Sequence, residues 1–231
     1  MTDPNTLRLT EVERYEGLET LAALPAVPLH RSRLKRAFDV AGALGMLVLF
    51  GPLMLAIAFL IRLDGGRSTF GHRRIGADGK PFTCWKFRSM VLNADAVLRD
   101  LLARDPQARA EWERDFKLRN DPRVTKIGAF LRKSSLDELP QIFNVLKGEM
   151  SIVGPRPIVV DEVPRYRDSF AYYKMCRPGL TGLWQVSGRN DTGYERRVAL
   201  DVAYVRTWSL FTDILIILKT AWVMVRGLGA Y

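Results

Sequence analysis

An uncharged apolar run from Val40 to Ile61, interrupted at its midpoint by Gly51-Pro52, constrains this chain more than any other stretch. About twenty consecutive apolar residues suffice to cross a bilayer as a helix. Proline in a helix interior removes a backbone hydrogen bond and crowds the preceding turn, so the run should kink or break there. Both flanks are basic. Arg31, Arg33, Lys35 and Arg36 precede the run, and Arg62, Arg67, Arg73 and Arg74 follow it. Basic flanks favour the cytoplasmic side of a membrane. A straight span would force one flank outside. A re-entrant hairpin bent at Gly51 and Pro52 keeps both inside, provided the freed backbone groups find partners that lipid does not offer. A kinked span and a buried core helix are the other readings of residues 31–62.

Residues 1–30 mix acids, Thr and Pro without periodicity and read as a mobile tail. They lack the basic start and early apolar run of a secretory signal. The 231 residues are 48% hydrophobic and carry a net charge of +10. That length holds one domain plus appendages. The charge admits nucleic acid, an anionic membrane surface or phosphorylated substrates as partners. Cys84 and Cys176 form neither a metal motif nor a disulfide framework and read as buried free thiols. His30 and His72 read as surface residues.

Residues 63–231 read as a cytoplasmic α+β domain, mainly helical. Glycines between short aromatic and β-branched runs predict a small antiparallel sheet, with Gly76–Gly79 as the hairpin turn. Lys86 and Arg88, alternate positions on a strand, would share a face able to hold phosphate oxygens. Helices are expected over 90–104 and then, from an Asp105 cap and Pro106, to about Lys117. Trp112 and Phe116 make a stripe on the second that suits a core or a lipid interface. A short apolar piece over 124–131 and a polar helix over 158–175 follow. Residues 201–231 read as helical, either amphipathic and interface-seeking through Trp208, Phe211 and Trp222 or a plain C-terminal core helix.

The chemistry concentrates in Arg132–Pro157, where Asp137 and Glu138 stand between Arg132, Lys133, Lys147 and Arg156. Acids able to hold a metal or attack an electrophile, set among cations able to hold phosphate, suit phosphoryl transfer. The local pattern also fits a capping box, Ser135 to Glu138, at a helix start. A helix from Pro140, stopped at Gly148, would instead leave the acids on a turn. Arg177 and Arg189 lie in glycine-containing loops of the kind that admit anions.

Lys35-Arg-Ala-Phe-Asp39, Lys86-Phe-Arg-Ser-Met90, Asp121-Pro-Arg123, Ser135-Leu-Asp-Glu-Leu-Pro-Gln141, Met150-Ser-Ile-Val-Gly-Pro-Arg-Pro157, Arg177-Pro-Gly-Leu-Thr-Gly182 and Gly188-Arg-Asn190 occur in that order. Together they resemble the bacterial sugar transferase family, the monotopic polyprenyl-phosphate phosphoglycosyl transferases, over about residues 33–231. The short members that start exopolysaccharide assembly in rhizobia are the most similar in layout. The resemblance implies a reaction at the cytoplasmic face of the bacterial inner membrane. A UDP-sugar, with galactose or glucose suggested, gives its sugar-1-phosphate to undecaprenyl phosphate, and UMP leaves. It implies Asp137 as covalent nucleophile, Glu138 as metal or proton partner, and Mg²⁺ anchored by the two. Lys86, Arg88, Arg132 and Arg156 are then candidates for the substrate phosphates, and Arg177 and Arg189 for nucleotide or sugar. It also implies membrane lipids as partners and no nucleic acid, and leaves a homodimer open. Many members carry Ser-Pro at the membrane bend, where this chain has Gly51-Pro52. A reading from a different class is a non-catalytic basic module held at a membrane surface.

Overall fold

The computed structural model describes residues 28–115, 118–187 and 193–225, and is mostly helical with two small sheets. Helix α1, Arg33–Arg62, holds Pro52 within its 30 residues. Ser32 caps it, its side chain accepting the Lys35 N–H at 3.3 Å. At the other end Arg88 donates to the carbonyls of Ile61 at 2.9 Å and Gly65 at 2.6 Å, and pairs with Asp64. The carbonyls any helix leaves orphaned at its end are thus met by an arginine from beyond the next hairpin. By length and composition α1 could cross a membrane. Ala43, Met54, Ile57 and Ile61 on it are buried, while Val48 is 82% and Leu49 70% exposed.

Strands β1 (Thr69–Ile75) and β2 (Pro81–Phe87) pair antiparallel, Thr69 opposite Phe87. The turn falls at the predicted glycines, with Gly79 at φ +74°, where a Cβ would be strained. Helix α2 is Ala94–Arg104 and α3 is Pro106–Asp115. Asp105 caps α3 as expected, accepting from Gln107 N at 2.8 Å and Ala108 N at 3.0 Å. The expected apolar piece after Val124 is helix α4, Lys126–Ser134. Helix α5, Gln141–Lys147, stops at Gly148 with φ +82°.

Strand β3 (Ser151–Val153) pairs parallel with β4 (Gly179–Thr181), joining segments the sequence reading kept apart. Between them the single helix expected over 158–175 is not formed. Short pieces replace it, including α6 (Val163–Tyr166) and α7 (Phe170–Lys174), separated at Arg167 with φ +46°. Tyr173 explains the break in part: its hydroxyl donates to Ile75 C=O at 2.7 Å and accepts the Ile158 N–H at 3.3 Å, tying the segment to β1. After α8 (Leu183–Val186) come α9 (Tyr194–Arg206) and α10 (Leu210–Val225). The chain therefore breaks where one long C-terminal helix was expected. Ser209 accepts the Thr212 N–H at 3.1 Å and so starts a new helix.

Two features lock the architecture. Val145, Ile142, Leu131 and Ile61 meet in one buried cluster. Beside it lies a buried polar network. Lys35 Nζ sits 2.8 Å from Asp213, 2.7 Å from Ser151 Oγ and 3.4 Å from Asp39. Asp39 also accepts the Ile152 N–H at 3.1 Å, and Asp213 accepts from Tyr204 at 2.8 Å and Trp208 at 3.1 Å. One lysine thus binds α1, β3 and α10 together. Cys84 and Cys176 are buried free thiols, as expected. His30 corrects its surface reading: its ring reaches Met175 C=O at 3.1 Å and Asp78 at 3.3 Å, and its side chain is 10% exposed. Residues 1–27 of the expected tail lie outside the described residues, while Leu29 at its end is packed into the core.

Candidate active site

Asp137 and Glu138 lie on a 3-10 turn, Leu136–Glu138, between α4 and α5. The capping-box reading does not hold. Ser135 adopts φ +58°, ends α4, and makes no side-chain cap bond. Its left-handed backbone reverses the chain so that the acids face strand β2. There Lys86 Nζ lies 2.6 Å from Glu138 Oε1 and 3.7 Å from Asp137 Oδ2. Asp137 is buried, its side chain 12% exposed, whereas the Glu138 side chain is 41% exposed. Burial pushes the Asp137 carboxyl above its ordinary value and Glu138 adds to the rise, with the Lys86 and Arg132 charges opposing. One acid of the pair is thus dry and poorly solvated when ionised, the other open to water.

The surroundings are held by close approach. A Cβ at Gly128 of α4 would stand 2.0 Å from the Ser89 carbonyl oxygen, so only glycine lets α4 lie against that strand end. The approach lets Arg132 Nε donate to Ser89 Oγ at 2.9 Å, placing its charge near Asp137. On the other side Asn144, fully buried in α5, clasps the free edge of β2. It accepts the Trp85 N–H at 3.1 Å and donates to Thr83 C=O at 2.7 Å and Glu149 at 2.6 Å. Sequence reasoning missed it, since an asparagine within a short helix carries no signal of a strand edge 59 residues away. Asn144→Ala should destabilise the protein by about 2–4 kcal/mol, because it strands buried backbone groups and leaves a void. Thermal unfolding in detergent reads that loss, and a change under about 0.5 kcal/mol would refute the clasp.

The cations separate into two groups. Lys86 and Arg132 flank the dyad. Arg88 does not share Lys86's face, because β2 ends at Phe87 and its guanidinium caps α1. Arg74, which the sequence reading counted only as a membrane flank, stands on the Lys86 side. Cross-strand partners share a face, and Phe70 opposes Lys86 while His72 opposes Cys84 and Arg74 opposes Phe82. His72 registers the resulting field: partial burial holds it below its usual value, and the Arg74 and Lys86 charges add to that. Burial pushes the Cys84 thiol up to about 11, though Lys86 and Arg156 act against it. Cys84 is therefore a filler here rather than a nucleophile. Arg156, exposed, stands 5.6 Å over the Trp184 ring, which Arg197 also approaches at 5.4 Å. Its charge opposes the Arg74 charge.

In the Arg177–Gly182 loop and the Gly154 turn the glycines serve close packing. A Cβ at Gly154 would meet the Arg177 carbonyl at 2.4 Å, and one at Gly179 would meet Gly154 N at 2.2 Å. These glycines bring two chain segments together. Arg177 donates to Gly148 C=O at 2.7 Å and so stoppers α5. Arg189 lies outside the described residues. Gly51 and Pro52 sit within α1, and a Cβ at Gly51 would meet nothing within 4 Å.

A buried carboxylate and a half-exposed one thus share a single lysine, with the Arg132 charge close by. The chain belongs to the bacterial sugar transferase family, which residues 30–227 match. It is 58% identical over 198 residues to the undecaprenyl-phosphate galactose phosphotransferase of Salmonella typhimurium, covering 86% of this chain and 42% of that protein. It is 52% identical to the exopolysaccharide production protein ExoY of Rhizobium meliloti, covering 85% of this chain and 88% of that one. It is 40% identical to the UDP-glucose:undecaprenyl-phosphate glucose-1-phosphate transferase of Escherichia coli, covering 89% and 45%. The chain thus spans less than half the length of the Salmonella and Escherichia relatives.

Proposed function

We propose that the chain transfers sugar-1-phosphate from a UDP-sugar to undecaprenyl phosphate and releases UMP, the first membrane step of exopolysaccharide synthesis. The relatives' names point to galactose or glucose as the sugar. The observation that carries this reading is the buried Asp137 held 3.7 Å from Lys86 Nζ, with Glu138 occupying the same lysine. An Asp137 oxygen attacks the sugar-linked phosphorus, and the bond from that phosphorus to the bridging oxygen breaks as UMP leaves. The acceptor's phosphate oxygen then attacks the same phosphorus, and the Asp137 carboxylate is regenerated. Poor solvation leaves the Asp137 anion reactive, while Lys86 and Arg132 offset repulsion between it and the diphosphate. Arg74 and Arg156 supply further charge on the nucleotide side.

The dyad fits Mg²⁺, which is usually held by one or two carboxylates with substrate phosphates completing its shell. Asp137 and Glu138 would hold it, and it would neutralise charge building on the phosphoryl oxygens.

The membrane element reads as re-entrant. Lys35 and Arg36 at one end of α1 bond to Ser151, Val145 and Leu146, while Ile61 at the other end bonds to Arg88. A span through a core of about 30 Å would put those ends on opposite sides. Ends held by one domain favour a shared side, the cytoplasmic face. On α10, Phe211, Leu218 and Trp222 are exposed and suit the lipid interface.

Labelled UMP should exchange into the UDP-sugar with no lipid acceptor present. Exchange that requires the acceptor would refute the covalent step. Membrane binding without transfer of any sugar phosphate would favour the non-catalytic module.

A further inference from the structure

Four arginines, Arg31, Arg33, Arg36 and Arg177, line an open cavity of about 720 Å³ at the start of α1. Arg31 and Arg33 are exposed, and neither has an ion-pair partner among the described residues. Arg36 donates to the carbonyls of Val145 at 2.6 Å and Leu146 at 2.7 Å, and Arg177 to that of Gly148 at 2.7 Å. Those bonds draw two guanidiniums together at the end of α5. Burial holds the Arg177 pKa below its usual value and the Arg36 charge adds to that, with Asp39 and Asp78 opposing. Both acids are already committed, Asp39 to Lys35 and Asp78 to His30. Among the described residues the cavity walls include no acid, and the first turn of α1 has none either. A helix start carries the positive end of the macrodipole, so cations gathered there lack an anionic complement.

The floor of the cavity says what carries that anion. Arg33, Ala37, Ala41 and Leu44 are exposed and follow one another about a turn apart, so they form one stripe down α1. The small side chains of Ala37 and Ala41 leave a groove. Beyond it the stripe continues into the apolar run, where Leu44 is 50% and Val48 82% exposed. We propose that this groove binds an anionic glycerophospholipid of the bilayer, its headgroup phosphate among the arginines and one acyl chain along Ala37, Ala41 and Leu44. Guanidiniums grip phosphate oxygens through paired donors, and basic pockets beside membrane helices on the cytoplasmic side take such headgroups. A free phosphate matches the cations but leaves the groove unfilled. The dyad precedes α5, whereas Arg36 and Arg177 hold its far end, about 10 Å along the helix. The lipid bound here is therefore a resident one and not the lipid that reacts. Its phosphate relieves the repulsion between Arg36 and Arg177 and so firms the end of the helix that follows the dyad. The inference rests on α1 lying in lipid and not on which group the dyad transfers.

The test compares two photoactivatable lipids on the full chain in phosphatidylcholine nanodiscs. One is phosphatidylglycerol and the other phosphatidylcholine, each present in trace amount with a diazirine in its acyl chain. The phosphatidylglycerol probe should label residues 37–44 about fivefold or more above the phosphatidylcholine probe, the scale of one cation beside an anionic lipid. Both should label residues 53–60, lower on the same helix, to the same extent. Excess phosphatidylglycerol should displace the probe from 37–44, and inorganic phosphate should not. Arg31→Gln combined with Arg33→Gln should remove the preference. So should Ala41→Phe, which fills the groove and leaves the charge unchanged. All three positions are exposed, so both variants should melt with the parent in phosphatidylcholine alone. Equal labelling of 37–44 by the two probes, a preference kept by either variant, or displacement by inorganic phosphate would each overturn the proposal. Stronger displacement by undecaprenyl phosphate than by phosphatidylglycerol would overturn it too, by making the groove an acceptor site. No label anywhere on α1 would overturn the membrane reading along with it, whereas label on α1 without headgroup preference sinks this proposal alone.

Discussion

Asp137→Asn will abolish turnover while making the folded protein more stable at neutral pH. The loss should reach about a thousandfold or more, as for removal of a covalent nucleophile. The gain follows from burial. The folded state raises the Asp137 pKa above its unfolded value, chiefly by desolvation. Between the two values the folded chain binds more protons, so its stability falls as pH rises through that window. Above it, the parent bears the full cost of an ionised, dry carboxylate, which the amide does not. The melting temperature of Asp137→Asn should therefore exceed the parent's at pH 7, and the difference should vanish below the ordinary carboxylate range. The same raised pKa places the acid limb of the kcat/KM profile above that range, since attack needs the anion. A variant less stable than the parent at pH 7, or one that keeps activity within about tenfold, would contradict the assignment.

Lys35→Met is expected to cost about 3–5 kcal/mol, the scale for removing one partner of a buried ion pair. Lys35 is 3% exposed, and Asp39 and Asp213, which flank it, are fully buried. Methionine fills the space but leaves two carboxylates facing each other without a cation. Unfolding followed by urea titration should show a lower midpoint with little change in slope. A loss below about 1 kcal/mol would mean that water enters the network and screens it.

Local signals were readable in the chain. Asp105-Pro106 caps a helix, Gly148 ends one, and the glycines around Asp78 turn the hairpin, because each acts within four residues of its partner. The acid pair and its lysine were also picked out, from residue type and from family resemblance. What escaped depends on distant partners. Arg88 seemed to share the Lys86 face because strand alternation was carried one residue past Phe87. Its true partner, the end of α1, is 27 residues away. The three-residue strands β3 and β4 are too short to show a period and pair only because Gly154 and Gly179 let their backbones touch. Lys35 looked like one of several flanking cations, and nothing local reveals a bond to Asp213 across 178 residues.

That last bond fixes a height. Lys35 joins the start of the apolar helix to α10, and Thr181 of β4 meets Thr220 of α10 at 2.6 Å. Both apolar helices therefore hang from the same short sheet, and the dyad is tied to that sheet through α5. If the two helices sit in lipid as proposed, the protein works as a depth gauge. The level of Asp137 relative to the headgroups is set by bonded distances inside the protein, not by how thick or fluid the bilayer is.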